Sequence, residues 1–287
     1  MKKISRLLIA YDGSECSDAM LEDLRRAGLP RAVEAVVATI AYVFVPPDNE
    51  VNETVSGPAA AMVRPSQLRA TKAVESALAM AEQAAVRIRD DFPGWSVRAE
   101  VEGGTPFWEL VQMADRLDVD LIVIGSHGHS TSGGRLILGS VSQRVLYDAP
   151  CAVRVARRVL RSDGPIRIVI GFNGADAEPA LNAVTLRSWP PGTEARSVNV
   201  GKMPSESVGV AEERLRAAGL TASVVSHAGD PATVLVREAE SWGADSIFVG
   251  TRNVHGFQHL LHGSVSAAVA ARAHCSVEVV RAKKGDG

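Results

Sequence analysis

Cysteine is scarce in this sequence. There are three cysteines, Cys16, Cys151 and Cys275, among 287 residues, and no two of them have the Cys-x-x-Cys spacing. An odd number of cysteines without that spacing argues against a disulfide framework and against a zinc site. We therefore interpret all three as small apolar side chains, which are usually buried in proteins.

An excess of charge and long apolar runs are absent as well. The 31 Lys and Arg residues nearly balance the 33 Asp and Glu residues, so the net charge is −2. This balance gives no basic surface for nucleic acid or for an acidic membrane. The apolar residues 7–10 form too short a run for a secretion signal, and no run approaches the roughly 18 residues of a membrane-spanning helix. We expect a cytoplasmic protein whose partners include neither nucleic acid nor a membrane.

The motifs of three common catalytic sites are missing too. The sequence contains no Gly-x-Ser-x-Gly, no His-Glu-x-x-His and no Gly-x-x-x-x-Gly-Lys-Ser/Thr. The spacing of His255, His259 and His262 would place them on one face of a helix and suit a metal. They fall in the loop before Gly263-Ser264 without a nearby carboxylate, however, so we interpret them as surface residues. We expect no catalytic residue and no metal site.

The segment 121–155 has a pattern typical of anion binding. The unbroken apolar run 121–124 predicts a strand that is buried on both faces of a parallel sheet. Glycine-rich loops follow, and Gly139-Ser140 precedes an apolar-periodic stretch that predicts a helix. The free N–H groups and the dipole of a helix N-terminus favour phosphate by roughly 0.3–1 kcal/mol per charge. The segment therefore predicts an anion site, although glycine-rich loops also form ordinary turns.

The same pattern occurs a second time in the chain. At an offset of 124 positions, Gly139-Ser140-Val141-Ser142 is repeated as Gly263-Ser264-Val265-Ser266. Further matches at an offset of 124 or 125 run through both halves: Gly104 and Gly229, Asp120 and Asp245, Ile122 and Ile247, Gly125 and Gly250, Ala149 and Ala273, Cys151 and Cys275, Val153 and Val277, Val155 and Val279. Matches this dense indicate an internal duplication.

Predicted strands and helices alternate in both halves, which is typical of a parallel sheet covered on both faces. We predict strands at 4–10, 35–45, 96–101, 121–124, 152–155, 166–170, 194–200, 221–226, 246–249 and 276–280. We predict helices at 16–27, 66–89, 103–117, 178–188, 208–218 and 232–242, besides the one after Gly139-Ser140. Residues 48–65 lack periodicity and predict a surface loop.

These motifs resemble the universal stress protein family. A first strand ends in Asp12-Gly13-Ser14, and Gly125-x-x-Gly128 is followed by Gly139-Ser140 and a short last strand. One departure from the family pattern is that ten rather than nine residues separate Gly128 from Gly139. The resemblance implies an α/β fold of two tandem doubly wound domains, Rossmann-like and similar to the adenine nucleotide alpha hydrolases. Each domain, at 1–160 and at 165–282, would have a five-stranded parallel sheet.

The resemblance also implies a site for ATP, with or without Mg, in the first domain. The implied binding residues are Ala10, Tyr11, Asp12, Val43, Gly125, His127, Gly128, Gly139, Ser140, Val141 and Ser142. Asp12 would accept a hydrogen bond from the ribose, or else it only starts a turn and caps a helix. Val43 would present its backbone to adenine, or else it is an ordinary core residue. His127 would lie near the phosphates, whereas Ser132 and Arg135 either touch them or are solvated.

The two halves are not equivalent at this site. Asp12, Ser14 and Gly128 correspond to Asn173, Ala175 and Asn253, so we expect the first half to be the better site. We expect the last strands, 152–155 and 277–280, to pair within the chain as in a two-fold dimer, because uncovered apolar edges aggregate. A homodimer of the chain is an additional possibility.

Three functions remain open on this sequence. The first is an ATP-binding stress protein that signals by nucleotide occupancy, with at most slow ATP hydrolysis. The second is an interaction scaffold without nucleotide. The third is an ATP-cleaving enzyme of the same fold, which would usually carry a Ser-Gly-Gly-x-Asp-Ser loop where Tyr11-Asp12-Gly13-Ser14 stands here.

Overall fold

The computed structural model describes residues 3–42, 58–128, 138–158, 164–172, 178–201, 205–251 and 265–281, with the backbone alone for 58–67 and 205–208. The strands are β1 (Arg6–Ala10), β2 (Glu34–Ala41), β3 (Ser96–Gly103), β4 (Leu121–Gly125), β5 (Ala152–Ala156), β6 (Arg167–Phe172), β7 (Glu194–Val200), β8 (Thr221–His227), β9 (Ser246–Gly250) and β10 (Ser276–Val280). The helices are α1 (Glu15–Leu24), α2 (Pro58–Asp91), α3 (Pro106–Arg116), α4 (Ser140–Asp148), α5 (Glu178–Thr185), α6 (Ser205–Ala217), α7 (Pro231–Trp242) and α8 (Val265–Arg272).

The strands form one ten-stranded sheet in the order β3-β2-β1-β4-β5-β10-β9-β6-β7-β8. Within each half all neighbouring strands are parallel, and helices cover both faces, so all five residues of β4 and of β5 are buried. The predicted α/β fold with a five-stranded parallel sheet in each half is confirmed. The two sheets continue into each other through β5 and β10.

The join between the halves is the pairing of β5 with β10. These strands are antiparallel, with Val155 opposite Val277 and Val153 opposite Val279. The predicted pairing of the last strands is therefore confirmed. The valines belong to an apolar core that runs along one face of the sheet through both halves, whereas the opposite face has a separate core in each half.

Two arginines add a reciprocal contact across this join. Arg157 follows β5 and donates to the carbonyls of Ala270 and Cys275, at the end of α8 and just beyond it. Arg281 follows β10 and donates to the carbonyls of Leu146 and Ala149, at the end of α4 and just beyond it. The last carbonyls of a helix have no partner within the helix, so each half supplies the C-terminal cap for the last helix of the other.

Local signals explain several helix ends. The side chain of Ser14 accepts a hydrogen bond from the N–H of Ser17 and starts α1, and Asp230 does the same for Thr233 at the start of α7. Gly243 ends α7 in the left-handed conformation.

The long helix α2 corrects one prediction. It begins at Pro58, so the surface loop predicted for 48–65 is wrong from residue 58 onward, and residues 43–57 lie outside the described part. Proline is favoured in the first turn of a helix, and the three alanines that follow Pro58 have the highest helix propensity. An extension that depends on propensity rather than on an apolar stripe gives no periodic signal. No helix in the described ranges is long and apolar enough to cross a membrane.

Candidate functional site

The candidate site lies in the first half, at the carboxyl ends of β1 and β4. These neighbouring strands are parallel and in register, with Ala10 beside Ile124. From β1 the chain continues to β2 on one side, and β4 lies on the other side, so the strand order reverses here. In doubly wound sheets ligands bind in the crevice at this point of reversal.

Asp12 organises the turn that follows β1. Its Oδ1 accepts a hydrogen bond of 3.0 Å from the N–H of Ser14, and Gly13 adopts a φ of +74° that favours glycine. Asp12 itself is exposed. The turn-forming role that was the alternative for Asp12 is therefore present, and it leaves the carboxylate at the mouth of the crevice.

Gly128 lies against that carboxylate. A methyl group on its Cα would lie 2.7 Å from Oδ2 of Asp12, which is closer than any real contact of a β-carbon. The loops that follow β1 and β4 therefore meet at these two residues, which are more than 100 positions apart in the sequence.

Gly139 and Ser140 form the N-terminus of α4, as predicted. Gly139 is the N-cap residue, and its N–H donates to the carbonyl of Ser126 over 2.9 Å. A methyl group on Gly139 would lie 3.4 Å from the Cα of His127, so the loop 126–128 passes directly over the helix end. The first turn of α4 contains no acidic residue, Ser140 is exposed and Val141 is half-buried. This helix end can accept an anion without repulsion from its own first turn.

Ser142 has a different role from the other predicted site residues. Its side chain is buried, and its hydroxyl donates to the carbonyl of Gly125 over 2.7 Å. The bond ties the end of β4 to α4. The hydroxyl of Ser142 thus positions the loop, and the exposed Ser140 is the serine of this pair that faces solvent.

His127 is half-buried in the loop. Its Nδ1 lies 3.0 Å from the hydroxyl of Ser126, and its Nε2 is buried without a hydrogen-bond partner in the described part of the chain. Burial lowers the pKa of His127, and the positive charge of Arg157 lowers it further. The imidazole is therefore held neutral near neutral pH while one nitrogen is unsatisfied.

Arg157 belongs to this region as well, although no sequence motif indicated it. It is buried, and burial lowers the pKa of its guanidinium. The available signal was the repeat itself, because Arg157 and Arg281 correspond at the offset of 124.

Tyr11 is fixed in the wall of the crevice. Its N–H donates to the carbonyl of Ala38 over 2.9 Å, and its own carbonyl accepts from the hydroxyl of Thr39 over 2.8 Å. Its phenol donates to Asp18 over 2.7 Å, and Arg87 also binds this carboxylate. Burial, and then the hydrogen bond to Asp18, raise the pKa of Tyr11 to about 12. Both backbone polar groups of Tyr11 are therefore engaged within the protein, and its ring is held in the core.

Several predicted residues lie outside the described part of the chain. They are Val43, Ser132, Arg135, the three histidines His255, His259 and His262, and the second-half counterparts Asn173, Ala175, Asn253, Gly263 and Ser264. Within the described ranges, no three His, Cys, Asp or Glu side chains come together as a group that could hold a metal ion.

The fold and this crevice define a class of protein, the Rossmann-like α/β proteins that carry a glycine-rich loop and a helix N-terminus where the strand order reverses. Comparison with known families specifies the class further. The profile of the Universal stress protein family matches residues 3–157 and again residues 169–281. The chain belongs to this family and contains two copies of its domain.

Individual relatives agree with the family assignment. A universal stress protein of Mycobacterium tuberculosis is 27% identical over 281 residues, covering 88% of this chain and 86% of the relative. A universal stress protein of Methanothermobacter thermautotrophicus is 43% identical over 67 residues, covering 23% of this chain. The alignments span less than half the length of this relative and of one from Methanocaldococcus jannaschii, at 44% and 46%.

Solved structures show the same fold over the whole chain. A universal stress protein from Archaeoglobus fulgidus has a TM-score of 0.69 at 20% identity, covering 99% of this chain and 98% of that chain. A Pseudomonas aeruginosa protein described as a putative universal stress protein has a TM-score of 0.58 at 16% identity, covering 97% and 93% of the two chains. At such low identity, these likenesses concern the fold alone.

Proposed function

We propose that the first half binds ATP in the crevice between β1 and β4, and that the protein acts in the cytoplasm as a nucleotide-dependent signalling module in stress response. The observation that supports this most directly is the convergence of Asp12, Gly128 and the N-terminus of α4. A β-carbon on Gly128 would lie only 2.7 Å from Oδ2 of Asp12, and both residues lie next to a helix end whose first turn carries no acidic residue.

Each part of the crevice suits a different part of the nucleotide. The N–H groups at the start of α4 and of the loop 126–128 would bind the phosphates. The carboxylate of Asp12 would accept from a ribose hydroxyl, and the family resemblance places the backbone of Val43 at the adenine. A Mg ion would be bound by the phosphates, since phosphates and water are its usual ligands in such sites.

The sequence supports binding rather than rapid turnover, because it carries none of the catalytic motifs that would activate a water. We therefore assign at most slow ATP hydrolysis to the protein.

The substitution Gly139→Val tests the site. Gly139 has an ordinary φ of −61°, so valine can adopt its backbone conformation, but the added side chain would press against the backbone of the loop 126–128 at the N-terminus of α4. We expect ATP affinity in calorimetry to fall by more than about 100-fold, or about 2.7 kcal/mol, with an unchanged fold by circular dichroism. Gly209→Ala in α6 is the control, because a β-carbon there has nothing within 4 Å.

Two outcomes would count against this function. Undiminished ATP affinity in folded Gly139→Val protein would mean that the phosphates bind elsewhere. If the wild-type chain binds no adenine nucleotide, the interaction scaffold becomes the better description.

A further inference from the structure

The strands that join the halves place one residue of each half on the pseudo-two-fold axis. Arg154 and Glu278 correspond at the repeat offset of 124, and they lie directly opposite each other in the pairing of β5 with β10. A residue on such an axis faces its own repeat equivalent. In this chain the two equivalents carry opposite charges.

Arg154 and Glu278 are the inner members of a buried row of four alternating charges. Asp23 binds Arg154 through two hydrogen bonds of 2.7 and 2.8 Å. Arg154 lies 3.6 Å from Glu278 across the join, and Glu278 is bound in turn by Arg187. Arg154 is 0% exposed and Glu278 is 1% exposed, so water screens these charges little. Every neighbouring pair in the row, Asp23 to Arg154 to Glu278 to Arg187, is attractive.

Ser276 adds a second difference between the halves. Its hydroxyl donates to Oδ1 of Asp23 over 2.7 Å and accepts from the N–H of Arg157 over 3.0 Å, in both cases across the join. The repeat equivalent of Ser276 in the first half is Ala152, which has no hydroxyl. Asp23 is therefore fully matched only by a second-half strand.

We propose that these residues make the pairing of the halves heterotypic, so that β5 accepts β10 and rejects the β5 of a second copy of this chain. If two first halves paired in the same register, Arg154 would face Arg154, and Asp23 would face Ala152. If two second halves paired, Glu278 would face Glu278. Each like pairing replaces the central attraction with a buried repulsion, whereas the pairing within one chain keeps the alternation. The apolar residues of both strands would otherwise suit either arrangement, because all four are valines.

A cross-linking experiment on the full chain tests this. In a pairing of two β5 strands, residue 153 of one chain would lie opposite residue 155 of the other. Val153→Cys with Val155→Cys is therefore introduced into every protein, which is refolded from urea at low and at 100-fold higher concentration and then oxidised. Peptide mass spectrometry detects a disulfide between positions 153 and 155 of different chains, and sedimentation gives the fraction of dimer.

The charges of the whole row are then removed by Arg154→Met with Glu278→Met, together with Asp23→Asn and Arg187→Gln, because the outer two residues would otherwise stay buried without their partners. In the cysteine variant that keeps all four charged residues of the row, we expect monomer and no 153–155 cross-link at either concentration. In the neutral variant we expect a chain dimer that grows with concentration and at least about ten-fold more cross-link. Arg26→Met with Asp245→Asn is the control, since this ion pair also joins the halves but lies off the axis. In a pairing of two first halves, Asp120 would stand where Asp245 stands here. The ion pair of Arg26 therefore favours neither arrangement, and the control variant should stay monomeric.

Two results would overturn the proposal. One is a 153–155 cross-link between chains in the protein that keeps the charged row, and the other is a neutral variant that folds and yet stays as monomeric as that protein. A second neutral variant, with Arg154→Gln and Glu278→Gln beside the same Asp23→Asn and Arg187→Gln, keeps hydrogen-bonding groups on the axis. It is measured beside the methionine variant and interpreted in the same way, so that a failure of the methionine variant to fold does not decide the outcome.

Discussion

At the scale of single residues, the crevice contains two side chains whose pKa values the fold has shifted. His127 and Tyr11 were both predicted as site residues, yet their states are set by neighbours that no motif contains. Burial, and then Arg157 at a neighbouring strand end, lower the pKa of His127, whereas burial, and then the hydrogen bond to Asp18, raise the pKa of Tyr11. Both shifts lead to measurable consequences.

The lowered pKa of His127 predicts proton uptake when ATP binds. In the free protein, burial and Arg157 favour the neutral imidazole, whereas phosphates close to it would favour the charged form. Calorimetric titrations near pH 6.5 in buffers of different ionisation enthalpy should therefore show net proton uptake of a fraction of one proton. His127→Gln should abolish this uptake while ATP still binds. Equal apparent enthalpies in all buffers for the wild type would contradict the prediction.

The raised pKa of Tyr11 predicts a loss of stability at high pH. Because the folded state favours the protonated phenol, its contribution is complete below the ordinary pKa of about 10 and is lost as the pH rises toward about 12. Urea unfolding at pH 9 and pH 11.5 should show a larger loss of unfolding free energy for the wild type than for Tyr11→Phe. Tyr42→Phe is the control, since Tyr42 is 81% exposed. Equal losses in wild type and Tyr11→Phe would refute the assignment.

At the scale of secondary-structure elements, the last helix of each half depends on the other half. Arg157 and Arg281 donate to carbonyls at the ends of α8 and α4, respectively. This exchange explains why each half ends in an arginine just beyond its last strand, a position where a single domain would have no helix end to cap.

Removal of either cap should destabilise the whole chain. Arg157→Met or Arg281→Met leaves buried carbonyls unpaired, which costs about 1–3 kcal/mol per variant, and urea unfolding should remain one cooperative transition. Arg216→Met, at a side chain that is 62% exposed and pairs with Glu212, should change stability by less than about 0.5 kcal/mol. In addition, Arg157→Met should raise the pKa of His127, measured by NMR titration. An unchanged unfolding free energy in both cap variants would show that the caps are dispensable.

At the scale of the whole molecule, a continuous sheet joins two halves whose sites differ. The first-half crevice is formed by Asp12 and Gly128, and the corresponding second-half residues are Asn173 and Asn253. Asparagine would replace a charged acceptor and would put a side chain where backbone should approach phosphate. The duplication therefore preserves the fold of both halves more fully than it preserves the site.

We expect one tight ATP site per chain, with the second site weaker by about one to two powers of ten. In calorimetry, Asp12→Ala or Gly128→Val should remove the tight site. Asn253→Val, the matched change in the second half, should leave it intact. Two equal sites, or a tight site that disappears only with Asn253→Val, would show that the halves have been assigned the wrong way round.

Sequence patterns predicted most of the elements because their signals are local. The strands at 194–200 and 276–280 were predicted with the bounds that the structure has, since their valines and the turn residues that flank them are short-range features. The start of α2 was missed because an alanine-rich extension has no apolar period. The site was predicted as a set of loops, but the contact of Gly128 with Asp12 was not, because no periodicity relates two loops so far apart.

By itself, the sequence determined the duplication, the alternation of strands and helices, and the glycine–serine start of α4, because each of these is written in neighbouring residues or in a constant offset. Only the tertiary structure decided that Arg154 meets Glu278 on an axis, that Arg157 and Arg281 cap each other's halves, and that Arg157 acts on His127. The physical reason is distance along the chain. Folding brings together groups that lie far apart in the sequence, more than 100 residues for the contacts across the join, and an isolated arginine or glutamate looks the same in a sequence whether it will be solvated or buried.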